Sequence, residues 1–239
     1  MTLLTVPLAR VDEASARSRL LAIDISSHTF EYLPGQAVMM GPHGAAVRRP
    51  FSIACSPERA AETQALELLI AMAGGSEDLG WARAGTLVDI EGPLGTFTFP
   101  AWVDQSRVLF VAGGTGIAPV RAMLDHALRR HPAGRISLLY STRRSDEFAF
   151  IEELRAHERA GRLELHQTVT RDDSTSWGGT RGRIGRSHFE VVLHEPGKTL
   201  CFVCGPPSLV SESTATLREL GVPPGLIRTE AWGGPTVTG

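Results

Sequence analysis

Residues 108 to 124 read VLFVAGGTGIAPVRAML, an apolar run that passes through Gly113, Gly114 and Gly116 directly into helix-like spacing. No other stretch limits the fold as strongly. A strand that is apolar at every position is buried on both faces. A helix starting at its end carries the chain back over the sheet, which is the βαβ unit of a parallel sheet. The glycines let the backbone turn tightly and leave space beside it, and Pro119 suits a first helical turn. Free N–H groups at that helix start, together with its dipole, favour an anion such as a pyrophosphate. The spacing is not the G-x-G-x-x-G of the ordinary dinucleotide turn, and a glycine-rich turn used only for packing would carry the same residues. Both readings stand on this stretch alone.

The pattern around it divides the chain. After residue 105, strand-like runs alternate with helical ones: RVLFVAG with APVRAMLDHALRR, RISLLYS with DEFAFIEELRAHERA, then LELHQTV, TLCFVCG with PSLVSESTATLRELG, and LIRTEAW. This alternation predicts a doubly wound parallel sheet, an α/β domain over 105–239. Before it, LLAIDIS, AVMMGP, PFSIACSP, ALELLIAMA and TLVDIEGP are short apolar or alternating runs between Gly, Pro and Ser, which predict an antiparallel β-barrel or sandwich over 1–104. A length of 239 residues fits two such domains. The polar, glycine-rich TRDDSTSWGGTRGRIGRS leaves the carboxyl end of a predicted strand, where ligands of open α/β sheets bind.

With 42% hydrophobic and 21% charged residues the chain has the balance of a folding globular protein, and a formal net charge of −2 gives no electrostatic footprint for nucleic acid. The opening MTLLTVPLARVDEASARSRL lacks the basic head and unbroken apolar run of a secretory signal, and no stretch has the length of a membrane span. A cytoplasmic protein without membrane contact is therefore expected. Cys55, Cys201 and Cys204 are too few for a disulfide framework or a four-cysteine iron–sulfur cluster. CFVC at 201–204 has metal-like spacing, but with apolar residues inside it and no second pair no metal site is expected.

Further stretches occur in a telling order: PGQAV at 34–38, RPFS at 49–52, AGGSEDL at 73–79, EGPLGTF at 91–97, YSTRR at 140–144, CGPP at 204–207 and EAW at 230–232. Together with GGTGIAP they span essentially the whole chain and resemble the ferredoxin-NADP reductase family of flavoproteins. The resemblance implies that the barrel binds FAD and the α/β domain NADP or NAD. In RPFS it implies that Arg49 neutralises the FAD pyrophosphate, that Phe51, following Pro50, stacks on the isoalloxazine, and that Ser52 hydrogen-bonds near flavin N5. The family more often has Tyr where this chain has Phe51, so stacking survives and a hydroxyl contact is lost. Gly74 and Gly75 are expected to bring backbone to the FAD pyrophosphate and Ser76 to cap a short helix while reaching a phosphate oxygen. A plain N-cap before Glu77 and Asp78 would look the same.

In the second domain the resemblance implies that Gly113, Gly114, Thr115 and Gly116 receive the pyrophosphate of the nicotinamide dinucleotide. Cys204 and Gly205 would lie beside the nicotinamide, and Glu230 and Trp232 near the flavin, with seven residues, GGPTVTG, beyond them. Ser52, Cys204 and Glu230 are the expected catalytic residues. Ser141, Arg143 and Arg144, with Thr142, Arg181 and Arg183, offer the hydroxyls and guanidiniums that a 2′-phosphate requires, which favours NADP over NAD. The implied activity is hydride transfer from NAD(P)H to FAD, followed by release of single electrons to a separate acceptor protein: a ferredoxin, a flavodoxin or an oxygenase component. EGPLGTF also looks like the electron-transfer subunit of dihydroorotate dehydrogenase, whose cysteine cluster this chain lacks. A nucleotide-binding sensor or assembly subunit is the non-catalytic alternative.

Overall fold

Alternating burial organises the first half of the chain. The structure, a computed structural model, describes residues 2–72, 79–130 and 134–232. Strands β1 (Thr2–Ser15), β2 (Ser18–Asp24), β3 (Ala37–Pro42), β4 (Arg49–Ser52), β5 (Ala65–Ala71) and β6 (Leu87–Leu94) form one antiparallel sheet in the order β4-β3-β6-β1-β2-β5. Its two ends meet through a bridge between Ile53 and Leu68 and a hydrogen bond of 2.7 Å from Ala54 N to Glu67 O, which closes the expected barrel. ALELLIA in β5 is apolar almost throughout because both its faces are covered. Leu66, Leu68 and Ile70 join the barrel core, while Leu69 packs into the core of the second half.

The second half contains β7 (Arg107–Gly113), α2 (Ile117–Arg130), β8 (Arg135–Thr142), α3 (Ile151–Arg159), β9 (Glu164–Val169), β10 (Thr180–Arg181), α4 (Arg186–Val192), β11 (Thr199–Gly205), α5 (Pro207–Glu219) and β12 (Ile227–Ala231); α1 (Pro57–Thr63) belongs to the barrel. The strands are all parallel, in the order β10-β9-β8-β7-β11-β12. Along β7, Val108, Phe110 and Ala112 enter the core shared with α2 and α3, and Leu109 and Val111 the core shared with α4 and α5. Helices thus cover both faces, as a doubly wound sheet requires. The same alternation puts Cys204 in the first of these cores and Cys201 in the second, so the CFVC pair lies on opposite faces of the sheet.

The barrel is clamped to the sheet by the segment after β6. Phe97 and Phe99 lie 5.8 and 5.6 Å from the Phe202 ring, and Phe99 stacks on Phe110 at 6.4 Å. Arg228 in β12 donates to Thr98 O at 2.7 Å. Gly35 of PGQAV makes this closure possible: its φ is +101°, and a Cβ there would collide with the Phe97 carbonyl.

Candidate functional site

The glycine-rich stretch has a divided explanation. A Cβ on Gly113 would lie 2.5 Å from Leu209 Cδ2 and 3.0 Å from Pro206 Cδ; one on Gly205 would lie 2.7 Å from the same Leu209 carbon; one on Gly116 would run into the Cys204 carbonyl. Gly116 is demanded by its packing on the β11 backbone, while Gly113 and Gly205 sit tightly against side chains at the start of α5. Gly114 differs: its φ is +55°, and it faces the Trp232 ring, 3.5 Å from where a Cβ would sit. The buried Tyr140 hydroxyl fixes this residue, donating to Gly114 O at 3.3 Å and accepting from Ala149 N at 3.2 Å.

Above the turn, at the carboxyl ends of the strands, lies a cavity of about 440 Å³ within the range of about 300–1,000 Å³ typical of small-molecule sites. The α/β side contributes Gly113, Gly114, Thr115, Ser141, Thr142, Arg143, Thr170, Arg171, Arg183 and Trp232; the barrel contributes Ser15, Arg17, Ser18, Leu69 and Ala71. Arg183 reaches Glu212 at 3.3 Å, whereas the exposed guanidiniums of Arg143 and Arg171 have no hydrogen bond or ion pair among the described residues. Glu147 also lines the cavity, with a buried Oε1 that accepts no hydrogen bond.

The expected arginines divide in the same way. Arg143 is at the cavity. Arg144 is not among its walls and pairs with Asp146 at 3.5 Å. Arg181 is consumed by the carbonyls of Asp172, Ser174 and Trp177 at 2.7–3.1 Å, which hold the glycine-rich loop. Arg171 is absent from the sequence expectation, yet it follows β9 as Arg143 follows β8. Applying the strand-end argument to both strands finds it. Arg17, on a hairpin of the other domain, carries no such signal.

Cys204 and Glu230 are register partners across β11 and β12, with Sγ 3.9 Å from Oε2. Burial pushes the Cys204 thiol well up, and the Glu230 charge adds to the effect. Burial likewise raises the Glu230 carboxyl. A thiol so shifted stays protonated and is no nucleophile. Gly116 packs on the Cys204 carbonyl, and Trp232, 41% exposed, donates its backbone N–H to Gly205 O at 3.2 Å, so the pair, the turn and the indole form one cluster.

In β4, at the end of the strand order, Arg49 and Pro50 are exposed and Phe51 and Ser52 half-buried. Phe51 rests on the barrel core, and the Ser52 hydroxyl makes no hydrogen bond among the described residues. The neighbouring Arg48 is occupied by Glu91 at 3.0 Å. Just beyond β4, Ala54 shares a buried cluster with Ile117 and Cys204, which sets this strand end beside the glycine turn. Gly74, Gly75 and Ser76 lie outside the described residues, as do the seven residues after Trp232.

Residues 110–214 match the family model "Oxidoreductase NAD-binding domain". The chain is 28% identical to "Oxidoreductase NAD-binding domain-containing protein 1" of Danio rerio, over 97% of this chain and 93% of that one. It is 31% identical to "Ferredoxin--NADP reductase B" of Sorangium cellulosum, over 75% of this chain and 76% of that protein. The chain belongs to the ferredoxin-NADP reductase family. A ferredoxin NADP+ reductase of Neisseria gonorrhoeae, solved with bound FAD and NADP, superposes with a TM-score of 0.79 at 18% identity, covering 97% of this chain and 99% of that one, and shares the fold.

Ferredoxin-NADP reductases are FAD-dependent NAD(P)H oxidoreductases, so the enzyme class, cofactor pair and fold expected from the sequence agree with the family. The residues present fit both groups. Guanidiniums at Arg143 and Arg171 with no partner among the described residues suit phosphates, and the half-buried Phe51 ring beside Arg49 and Ser52 suits a flat anionic ligand. No helix among the described residues is long and apolar enough to cross a membrane.

Proposed function

We propose that this chain is an NAD(P)H-dependent flavin reductase that binds FAD on its barrel, over residues 1–104, and the nicotinamide dinucleotide on its α/β domain, over 105–239. It passes electrons singly to a separate ferredoxin, flavodoxin or oxygenase component. The observation that carries this reading is the glycine turn that opens on an arginine-lined cavity, with the Cys204–Glu230 pair packed behind the turn. Bound FAD supplies the chemistry of accepting two electrons from NAD(P)H and giving them up one at a time. The chain's own residues align and shield. Gly114 and Thr115 seat the pyrophosphate, and Arg143, Arg171 and Arg183 face the adenosine end, a set that favours NADP. Cys204 keeps its proton on Sγ, so a small neutral atom borders the nicotinamide, and burial shifts the half-buried Glu230 carboxyl beside it toward its neutral form. Phe51 and Trp232 provide flat walls, Arg49 a counter-charge and Ser52 a hydroxyl donor for the flavin, with Gly74, Gly75 and Ser76 assigned to the FAD phosphates.

Purified protein reconstituted with FAD and titrated anaerobically with NADPH and with NADH tests the assignment. Bleaching of the flavin bands, at lower concentration for NADPH, is the expected result. Protein that stays colourless after incubation with FAD overturns it.

A further inference from the structure

The barrel's β1–β2 hairpin reaches across the domain junction. Its two-residue tip, Ala16–Arg17, is held by three hydrogen bonds: Ala16 N donates to Asp146 O of the α/β domain at 3.0 Å, Met72 N at the end of β5 donates to Arg17 O at 2.7 Å, and Arg17 N donates to Ser15 Oγ at 3.3 Å. The backbone is thus fixed from two other elements. The side chain is not. Arg17 lines the cavity 43% exposed, and its one charged neighbour among the described residues is Glu147, with Nε 3.9 Å from Oε1, too long for a hydrogen bond. That carboxylate oxygen is itself buried without a hydrogen bond. Two opposite charges held at the same wall, the carboxylate buried and neither saturated by the other, leave the guanidinium's donors facing the cavity.

The location within the cavity is decided by the turn. β5, whose Ala71 pairs with Ser18 of the hairpin, contacts the Gly114–Gly116 turn. From the other side, the Tyr140 hydroxyl links Gly114 O to Ala149 N, just beyond Glu147. Arg17 therefore belongs to the glycine-turn end of the cavity, while Arg143 and Arg171 stand at the ends of β8 and β9.

Resting on the nucleotide-binding reading above, we infer that Arg17 binds the pyrophosphate of the nicotinamide dinucleotide from the barrel side, opposite Gly114 and Thr115, while Glu147 stays behind it as a part of the wall that does not touch the ligand. The nucleotide then bridges both domains, and its phosphates are gripped by a guanidinium that the α/β domain does not itself supply. A guanidinium on a fixed hairpin suits two phosphate oxygens at once. FAD carries the same pyrophosphate chemistry, and the test separates the two sources.

Calorimetric titration of the FAD-loaded protein with NADP+, NAD+, ADP-ribose and 2′-AMP reads the prediction directly. Arg17→Ala is expected to weaken the first three by about tenfold, the loss of one charge-assisted phosphate contact at a partly exposed site. Affinity for 2′-AMP, which lacks the pyrophosphate, stays at the wild-type value, and Arg17→Lys recovers part of the loss. Glu147→Gln, which keeps an acceptor oxygen, stays within about twofold of wild type. Equal losses in Arg17→Ala and Glu147→Gln would mark a mere interdomain tie and overturn the inference. Loss of FAD on dilution of Arg17→Ala with unchanged ADP-ribose affinity overturns it in favour of the flavin. Wild-type affinity in Arg17→Ala sinks the inference alone, whereas wild-type protein that binds no dinucleotide sinks the nucleotide site and the inference together.

Discussion

The two sides of the domain junction use arginine in opposite ways. On the side formed by α1, β5, α2 and α3, the charges that face the junction are met at short range. Arg121, 4% exposed, donates to Glu67 at 2.6 Å, to Glu153 at 2.8 Å and to the Ala54 carbonyl at 2.8 Å, and its guanidinium lies 4.2 Å over the Phe150 ring. Arg59 holds Asp125 and Glu153 at 3.2 and 2.9 Å, and the Ser56 hydroxyl donates to Asp125 at 2.6 Å. Across the junction, Arg17 has its nearest carboxylate at 3.9 Å, and Arg143 and Arg171 have none among the described residues. Burying a charge is tolerable only with its partners in place, so a saturated network fastens and an unsaturated one is held open to a ligand. Burial alone would make the Arg121 guanidinium easier to deprotonate, and the Glu153 and Glu67 carboxylates more than reverse that.

The largest effect comes from breaking the saturated side. Arg121→Ala leaves Glu67 and Glu153 without their shared cation and is expected to cost about 3–5 kcal/mol of unfolding free energy in denaturant titrations. The same substitution at Arg143 should change stability by less than about 0.5 kcal/mol, since nothing in the protein relies on it. Comparable losses at the two positions would erase the distinction between fastening and ligand-facing arginines.

Next in size is the chemical step. Cys204→Ser alters the side chain that the proposed function sets beside the nicotinamide, and a displacement of about 1 Å can cost on the order of a hundredfold in rate. Anaerobic stopped-flow reduction at saturating NADPH is the measurement. An unchanged limiting rate returns Cys204 to the ordinary buried cysteines, and the raised thiol already argues against reactivity toward alkylating agents.

The open side then divides within itself. Arg143→Ala combined with Arg171→Ala should raise KM for NADPH by about tenfold or more and leave KM for NADH nearly unchanged, because only the former carries the 2′-phosphate. Arg144→Ala, removing a side chain paired with Asp146 away from the cavity, should leave both unchanged. Equal effects on the two nucleotides would move the cavity arginines to a general role.

How much of this was legible in the sequence depends on the range of the interaction. β7, β8, β11 and α2 are long and uniformly patterned, and the reading places them closely. β1 escaped it because only Val6 and Leu8 are buried along 14 residues and a register shift between Leu8 and Arg10 breaks the alternation. α1 and α4, at seven residues each, are too short for a helical period to declare itself. DEFAFIEELRAHERA reads as one helix, but Phe150 adopts φ +61° and α3 starts only at Ile151, because Phe148 is drawn into the core between Tyr140 and Trp177, at 5.0 and 5.5 Å. In the site, the glycine turn announced itself locally, and close packing on the Cys204 carbonyl is by itself enough to require Gly116. The Cys204–Glu230 contact depends on parallel register, and Arg17 enters the cavity only through tertiary closure, so no local pattern contains either.

Glu230 sharpens the comparison from a third position, a half-buried carboxyl with neither a cation among the described residues nor an open cavity wall to meet it. Its hydrogen-bonding neighbour is a thiol at 3.9 Å, and burial raises its pKa above the ordinary 4.5. The folded protein therefore binds more protons than the unfolded chain between 4.5 and the raised value. Stability contributed by the neutral carboxyl is complete below that window and is lost as pH climbs through it. Glu230→Gln removes the titration while keeping the shape. The unfolding free energy of wild type minus that of the variant should be flat at low pH, fall as pH rises past 4.5, and level off beyond the folded-state pKa. Denaturant melts at half-unit pH steps, about 0.5, resolve such a curve when both proteins unfold in one transition. A difference that rises with pH would mean that Glu230 is ionised against a cation in the native state, and would place it with the fastening charges around Arg121 instead.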